Sequence, residues 1–268
     1  MRELRTCPVT GRIVLLNDAW VDAPPTPAPP EPGPCALCEP RGPVIMRFAE
    51  AIAVPYPTPA LGVEGDARPS VAHGAVRRDA VGAHEVLYGA HDAGDGDLLR
   101  LLAHRLADLR GDERLRGFGA TRRHAPGRHV AWQLFALPFD VAPTTPARWR
   151  DAEVEAGERV VDEDVEAVAL LAWAPRVPFE TWVMPTDGAA SFGHGDPAGV
   201  AEVLARTVAK LARALRDAPI DLSLADGEPW RIELLPRVGT PRAVEVATGV
   251  PIHGTFPEAA AAFLREDG

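Results

Sequence analysis

Leucines at positions 98, 101, 102, 106 and 109 recur at the three-and-four spacing of a single helical face, and Asp97 stands where an N-cap would. Residues 97–110 therefore read as an amphipathic helix. A second stripe of Val200, Val203, Leu204, Val208, Leu211 and Leu215 follows Asp196-Pro197 and ends near Asp217. An aspartate cap with proline at the first helical position is a strong helix start. The remaining apolar runs are too short for helices and read as strands over 12–16, 84–88, 130–137, 166–172, 180–184 and 230–235. A short helix opens at Pro257 and runs through Arg265, and the proline-rich stretch 23–34 reads as a loop or stiff spacer. Strand, helix, strand thus occurs twice. The pattern predicts an α+β protein built from two similar tandem halves, 1–145 and 146–268, with antiparallel sheets and packed helices.

At 268 residues, 46% hydrophobic and 25% charged, the chain has the composition of an ordinary soluble globular protein with a sizeable core. Its formal net charge of −10 argues against a nucleic-acid partner, which needs a basic footprint. There is no long apolar run for a membrane span and no apolar core for a secretory leader after Met1. Three cysteines make an odd, low count, so a reducing cytoplasmic setting is expected rather than a disulfide framework. The Ala, Arg, Gly and Pro bias, with Lys210 the sole lysine, points to a GC-rich bacterial genome.

Two of those cysteines form Cys35-Ala36-Leu37-Cys38. Two thiolates at this spacing can close on one zinc ion, which then needs two further ligands. The chain has a single C-x-x-C, so histidine is the natural source, and spacing alone does not choose among the eight. A redox pair or two packed cysteines would produce the same short motif; Cys7, alone in a turn, reads as a packed small residue.

The most informative stretch is Arg128-His129-Val130-Ala131-Trp132-Gln133, an H-x-A-W-Q that becomes H-x-H-x-Q if Ala131 is replaced by histidine. Around it, in order, stand Pro8-Val9-Thr10-Gly11, Cys35 to Cys38, Ala53-Val54-Pro55 with Pro59-Ala60-Leu61, Gly82-Ala83-His84-Glu85-Val86 leading to His91-Asp92, Pro178-Phe179-Glu180-Thr181, and Trp230-Arg231-Ile232-Glu233-Leu234-Leu235-Pro236-Arg237. Taken together, these pieces resemble the galactose-1-phosphate uridylyltransferase branch of the histidine-triad (HIT) superfamily over nearly the whole chain.

The resemblance implies two HIT-like halves and one structural zinc ion held by Cys35, Cys38, His91 and His129. It implies nucleotidyl transfer between nucleotide sugars and sugar 1-phosphates by double displacement, through a nucleotidyl-histidine at position 131. Gln133 would donate to the transferring phosphate, and Tyr56, Leu61, Arg122, Arg123 and Trp132 would line the substrate. Partners would be a nucleotide or nucleotide sugar and a phosphorylated small molecule, and members of the family often pair as homodimers.

The chain departs from the family pattern at several points. Ala131 cannot attack phosphorus. Tyr56-Pro57-Thr58 stands where the family usually offers asparagine, and the loop before the motif is shortened to 120–127 and gains Arg122 and Arg123. Guanidinium forks suit phosphate or carboxylate oxygens, and a solvated basic loop would read the same way. Arg231 replaces a late-strand histidine that serves a second metal in some members, so a second metal is not expected. Three readings of Ala131 stay open: an exchanged natural histidine, a natural loss that leaves a non-catalytic nucleotide binder, or a pocket recruited by specialised metabolism for other phosphate chemistry.

Overall fold

A computed structural model of the protein describes residues 2–6, 13–17, 37, 42–72, 75–90, 94–124, 129–140, 147–187, 191–226, 229–239 and 253–266. Among the described residues fourteen strands form two sheets. The small sheet joins β1 (Arg2–Thr6), β2 (Ile13–Asn17), β5 (Ser70–Ala72) and β6 (Ala75–Asp79) in the order β2-β1-β6-β5. The large sheet has ten strands. Its first-half members are β3 (Met46–Phe48), β4 (Ala51–Pro55), β7 (Ala83–Tyr88), β8 (Gly117–His124) and β9 (Ala131–Leu137). Its second-half members are β10 (Val160–Glu163), β11 (Ala167–Leu171), β12 (Thr181–Pro185), β13 (Ile220–Ala225) and β14 (Arg231–Pro236).

The order is β10-β11-β12-β14-β13-β8-β9-β7-β4-β3, and each neighbouring pair of strands in it is antiparallel. The two halves therefore do not build separate sheets. They share one sheet, joined at its middle by β8 and β13.

Four α-helices lie among the described residues: α1 (Asp95–Leu109), α2 (Ala147–Ala156), α3 (Ala201–Ala214) and α4 (Pro257–Glu266). The leucine stripe of α1 is fully buried, as is most of the apolar stripe of α3. The two helices share a core cluster with Trp132 and Leu134 of β9, Leu222 and Leu224 of β13, and Ile232 and Leu234 of β14. Even-numbered residues of these central strands thus face the helices, and odd-numbered residues face away, as the two-residue period of a strand requires. Asp196 caps the 3-10 turn Pro197–Val200 that leads into α3, its carboxylate accepting from the Ala198 amide at 3.1 Å. The first helix starts two residues before the expected Asp97, after Gly94, because Asp95 is drawn into the core contacts described below. No helix among the described residues is long and apolar enough to cross a membrane.

Strand β8 corrects the sequence reading. Residues 120–124 were expected to be part of a phosphate loop, yet they sit in mid-sheet between β9 and β13. Tertiary pairing on both edges overrides the weak strand propensity of Gly117, Gly119 and the two arginines.

Candidate functional site

The strand β9 places Ala131, Gln133 and Phe135 on the face of the sheet turned away from the helices. Its neighbours put Tyr88 opposite Ala131, Val86 and Thr121 opposite Gln133, and His84 and Gly119 opposite Phe135. One patch of this face therefore gathers Ala131, Gln133, Thr121 and His84. Tyr56, in the turn after β4, completes it: its ring stacks on His84 at 4.0 Å between centroids, with Phe135 stacked on the other side of the imidazole at 4.4 Å.

His84 is the best-defined group of the patch. The Ala60 amide donates to its Nδ1 at 3.1 Å, so the proton sits on Nε2, which faces the Gln133 Oε1 at 3.4 Å. That contact turns the carbonyl end of the Gln133 amide inward and leaves its N–H2 end as the donor for a ligand. Sandwiched between two rings and only 3% exposed, His84 is held neutral. Burial pushes its pKa down to about 4, with the Gln133 hydrogen bond acting in the opposite direction. It cannot serve as a substitute nucleophile, because both ring nitrogens are engaged and both faces are covered. Glu85, the next residue, turns to the helix face and takes a two-pronged ion pair from Arg105 of α1, which fixes the strand from the other side. Gly82 lets β7 begin so close to β9: a Cβ there would lie 2.0 Å from the Ala136 carbonyl oxygen.

Several expected ligand contacts are placed elsewhere. Arg122 and Arg123 do not act as a pair, since successive strand residues point to opposite faces. Arg122 is buried on the helix side, its Nη2 3.0 Å from Asp95 and its guanidinium 5.7 Å over the Trp132 ring. Burial lowers its pKa and Asp95 opposes that shift. Trp132 is fully buried there too, donating from Nε1 to Asp95 at 3.1 Å. Neither residue can touch a ligand on the Gln133 face; together they pin the start of α1 to the motif strand. Leu61 is likewise a packing residue, buried against Ala80 with Phe135, Leu137 and Phe139. Arg123 lies on the Gln133 face, half exposed, with its Nε 2.8 Å from Asp221. Asp221 also accepts from Arg237 at 2.6 Å.

Of the four residues implied for zinc, Cys35, Cys38 and His91 lie outside the described residues. His129 is described: its Nε2 donates to the Gly89 carbonyl at 2.8 Å and its ring meets the Tyr88 ring edge-on at 5.8 Å. Leu37, between the two cysteines in sequence, packs on the cluster that contains Tyr88, with Ala131 in the same contact group.

The second half carries an ion cluster that sequence reading missed, with Glu180, Arg231 and Glu233 buried and Arg176 half exposed at its edge. Arg176 donates through Nη2 to Glu180 and to Glu233, each at 2.6 Å, and Arg231 pairs with Glu233 at 2.6 Å. The Trp182 indole donates to Glu180 at 3.0 Å, and the Arg231 guanidinium lies 4.5 Å over the Trp182 ring. Glu180, first among its partners, holds the Arg176 pKa above its ordinary value. Alternation in 180–184 and 230–235 was the available signal, because it puts Glu180, Trp182, Arg231 and Glu233 on one face.

No protein-family model matches the chain. The ADP-glucose phosphorylase of Arabidopsis thaliana is 27% identical over 165 residues, which is 52% of this chain and 47% of the relative, so the match spans about half of that protein's length. A crystal structure of an ADP-glucose phosphorylase from Arabidopsis thaliana with bound ADP-glucose superposes with a TM-score of 0.70 at 23% identity, covering 99% of this chain and 98% of that one. A uridylyltransferase structure gives 0.73 at 18% identity, covering 99% and 98%. The chain shares the fold of these ADP-glucose phosphorylase and uridylyltransferase structures. Strand β9 opens on the Ala131-Trp132-Gln133 of the H-x-A-W-Q stretch.

Proposed function

We propose that this chain binds a nucleotide sugar on the face shared by Tyr56, His84, Thr121, Ala131 and Gln133, and that position 131 is its nucleotidyl-transfer position. The observation that carries the reading is the placement of Ala131 and Gln133 two residues apart on the half-buried sheet face turned away from the helices, with the Gln133 carbonyl engaged by His84 and its N–H2 group left as the donor. A preset donor of this kind stabilises charge on phosphoryl oxygens. Arg123, on the same face, adds a cation beyond Thr121. The names of the similar proteins favour ADP-glucose as the first ligand to try. With a methyl group at 131 that position offers nothing to attack phosphorus, so on this reading the chain holds the nucleotide sugar without transfer through it.

Titration calorimetry on the chain as it stands is expected to show binding of ADP-glucose. Gln133→Ala should weaken that binding about tenfold or more, the scale of one hydrogen bond to a charged oxygen. Absence of binding by any nucleoside diphosphate or nucleotide sugar would overturn the reading.

The same proposal includes one zinc ion held by Cys35, Cys38, His91 and His129. Support comes from the described neighbours. Leu37, which stands between the two cysteines in sequence, packs against the contact group of Tyr88, and the His129 ring meets the Tyr88 ring edge-on, so one member of each half of the ligand set borders the same tyrosine. Bound there, zinc would supply a structural cross-link between the cysteine loop and the motif strand. Elemental analysis is expected to find one zinc per chain. Chelation should lower the melting temperature by roughly 10 °C, since binding energy at a structural zinc site is folding energy. A metal-free protein with an unchanged melting temperature in chelator would refute the assignment.

A further inference from the structure

Two arginines close on one carboxylate at the end of the large sheet. Asp221 of β13 accepts from the Arg123 Nε on one oxygen at 2.8 Å and from the Arg237 Nε on the other at 2.6 Å. Among the described residues neither guanidinium spends an Nη group on a protein partner. The Asp221 side chain is 26% exposed and those of the arginines are 51% and 54% exposed, so the carboxylate is the covered member and the guanidinium groups are the open ones. The triad carries one positive charge in excess on a chain that is strongly acidic overall.

The sheet registers bring these residues together. Arg123 faces Asp221 across the β8–β13 ladder, and just beyond β14 the Arg237 amide donates to the Pro219 carbonyl at 2.8 Å. Thr121 pairs with Gln133, and one same-face step further along each strand stand Arg123 and Ala131. The triad therefore lies at the level of position 131, on the side away from Tyr56 and His84. Asp221 is two strands from β9, about 10 Å.

Fold stability does not account for this arrangement. An exposed ion pair contributes little, and a second guanidinium adds like-charge repulsion to a carboxylate that one already neutralises. Two guanidinium forks aimed by one carboxylate are instead suited to an oxyanion, because each presents paired N–H groups at the spacing of phosphate oxygens. Holding each arginine by Nε also orders it in advance, which lowers the entropy lost on binding.

We propose that Arg123 and Arg237, aimed by Asp221, form an oxyanion site for phosphate, either free or as the terminal monoester of a small organic molecule. The inference goes beyond the reading of the Gln133 face, and the two fail separately. The test is calorimetry of the full chain with inorganic phosphate and with glucose 6-phosphate at low ionic strength, where screening is weak. Arg237→Gln should weaken phosphate binding about tenfold or more, the scale of hydrogen bonds between charged groups. Arg68→Gln removes an exposed arginine paired with Asp66 in the loop before β5, and should change it less than about twofold. Asp221→Asn separates aim from charge. It makes the triad more positive, so simple attraction would tighten phosphate binding, whereas loss of the aimed geometry weakens it; severalfold weakening is expected.

Binding of both probes identifies a terminal monoester as an occupant, and binding of inorganic phosphate alone identifies the free anion; either supports the proposal. Equal losses in Arg237→Gln and Arg68→Gln, tighter binding in Asp221→Asn, or no phosphate binding by the unaltered chain overturns it. Loss of phosphate binding in Gln133→Ala with Arg237→Gln unaffected also overturns it, because the anion would then sit at Gln133. ADP-glucose binding without phosphate binding overturns this inference alone, and phosphate binding without ADP-glucose binding counts only against the functional reading.

Discussion

Ala131→His is expected to convert the chain from a binder into a covalent nucleotidyl carrier. Incubated with ADP-glucose, the variant should gain the mass of a single adenosine monophosphate, and the unaltered chain should gain none. The introduced imidazole would stand on the open face two residues from Gln133, roughly 7 Å along the strand. In the proposed step its nitrogen forms a bond to the α-phosphorus. The bond from that phosphorus to the bridging oxygen breaks, and the hexose 1-phosphate leaves with the electron pair. Inorganic phosphate or a second sugar phosphate then takes the nucleotidyl group and frees the imidazole. Turnover should rise by about 10⁴-fold or more, the scale on which removing a nucleophile lowers covalent catalysis. Comparable turnover by the two proteins would refute the histidine route and favour a pocket that works by other phosphate chemistry. Nucleotide binding without an adduct in the variant would leave a binding protein on this fold.

Acid is expected to destabilise the protein through His84. In the unfolded chain this imidazole titrates near the ordinary 6.5; in the folded protein burial holds it at about 4. Above pH 6.5 it is neutral in both states and its contribution to stability is fully present. Between pH 6.5 and 4 the unfolded chain takes up a proton that the folded chain does not, so stability falls with pH, by up to about 3 kcal/mol when pH 4 is reached. The geometry explains why protonation is resisted. A proton on Nδ1 would face the Ala60 amide hydrogen, setting two donors against each other in a closed space. Urea unfolding at pH 7.5 and pH 4.5 is the measurement, with His84→Gln as reference, because carboxylates titrate in both proteins and cancel in the difference. The unaltered protein should lose about 2–3 kcal/mol more than the variant between these two values. Parallel pH dependence in the two proteins would show that His84 is not held neutral.

The elements that were legible in the chain are those whose signal is local. The leucine spacing of α1 and the Asp196-Pro197 start ahead of α3 lie within one or two turns of backbone, and both helices form there. The alternation of β9 likewise survives folding, so the face shared by Ala131 and Gln133 could be read directly. Strand β8 was misread because Gly117, Gly119 and two adjacent arginines carry little strand preference of their own. Its conformation comes from pairing with β9 and with β13, the latter about a hundred residues further on.

For the same reason the order of motifs and the alanine at 131 were determined by the sequence alone: they depend only on which residue stands where. Tertiary structure decided which face each side chain turns to and what it meets there. It sent Trp132 and Arg122 to Asp95 beneath the helices, and left Arg123 on the open face. It set His84 against Gln133 across 49 positions of chain, and closed Arg176 on Glu233 across 57. No local propensity encodes those partners. They follow from the register of strands brought together by burial of the α1 and α3 faces, and a shift of one residue would have turned every one of these side chains to the other side of the sheet.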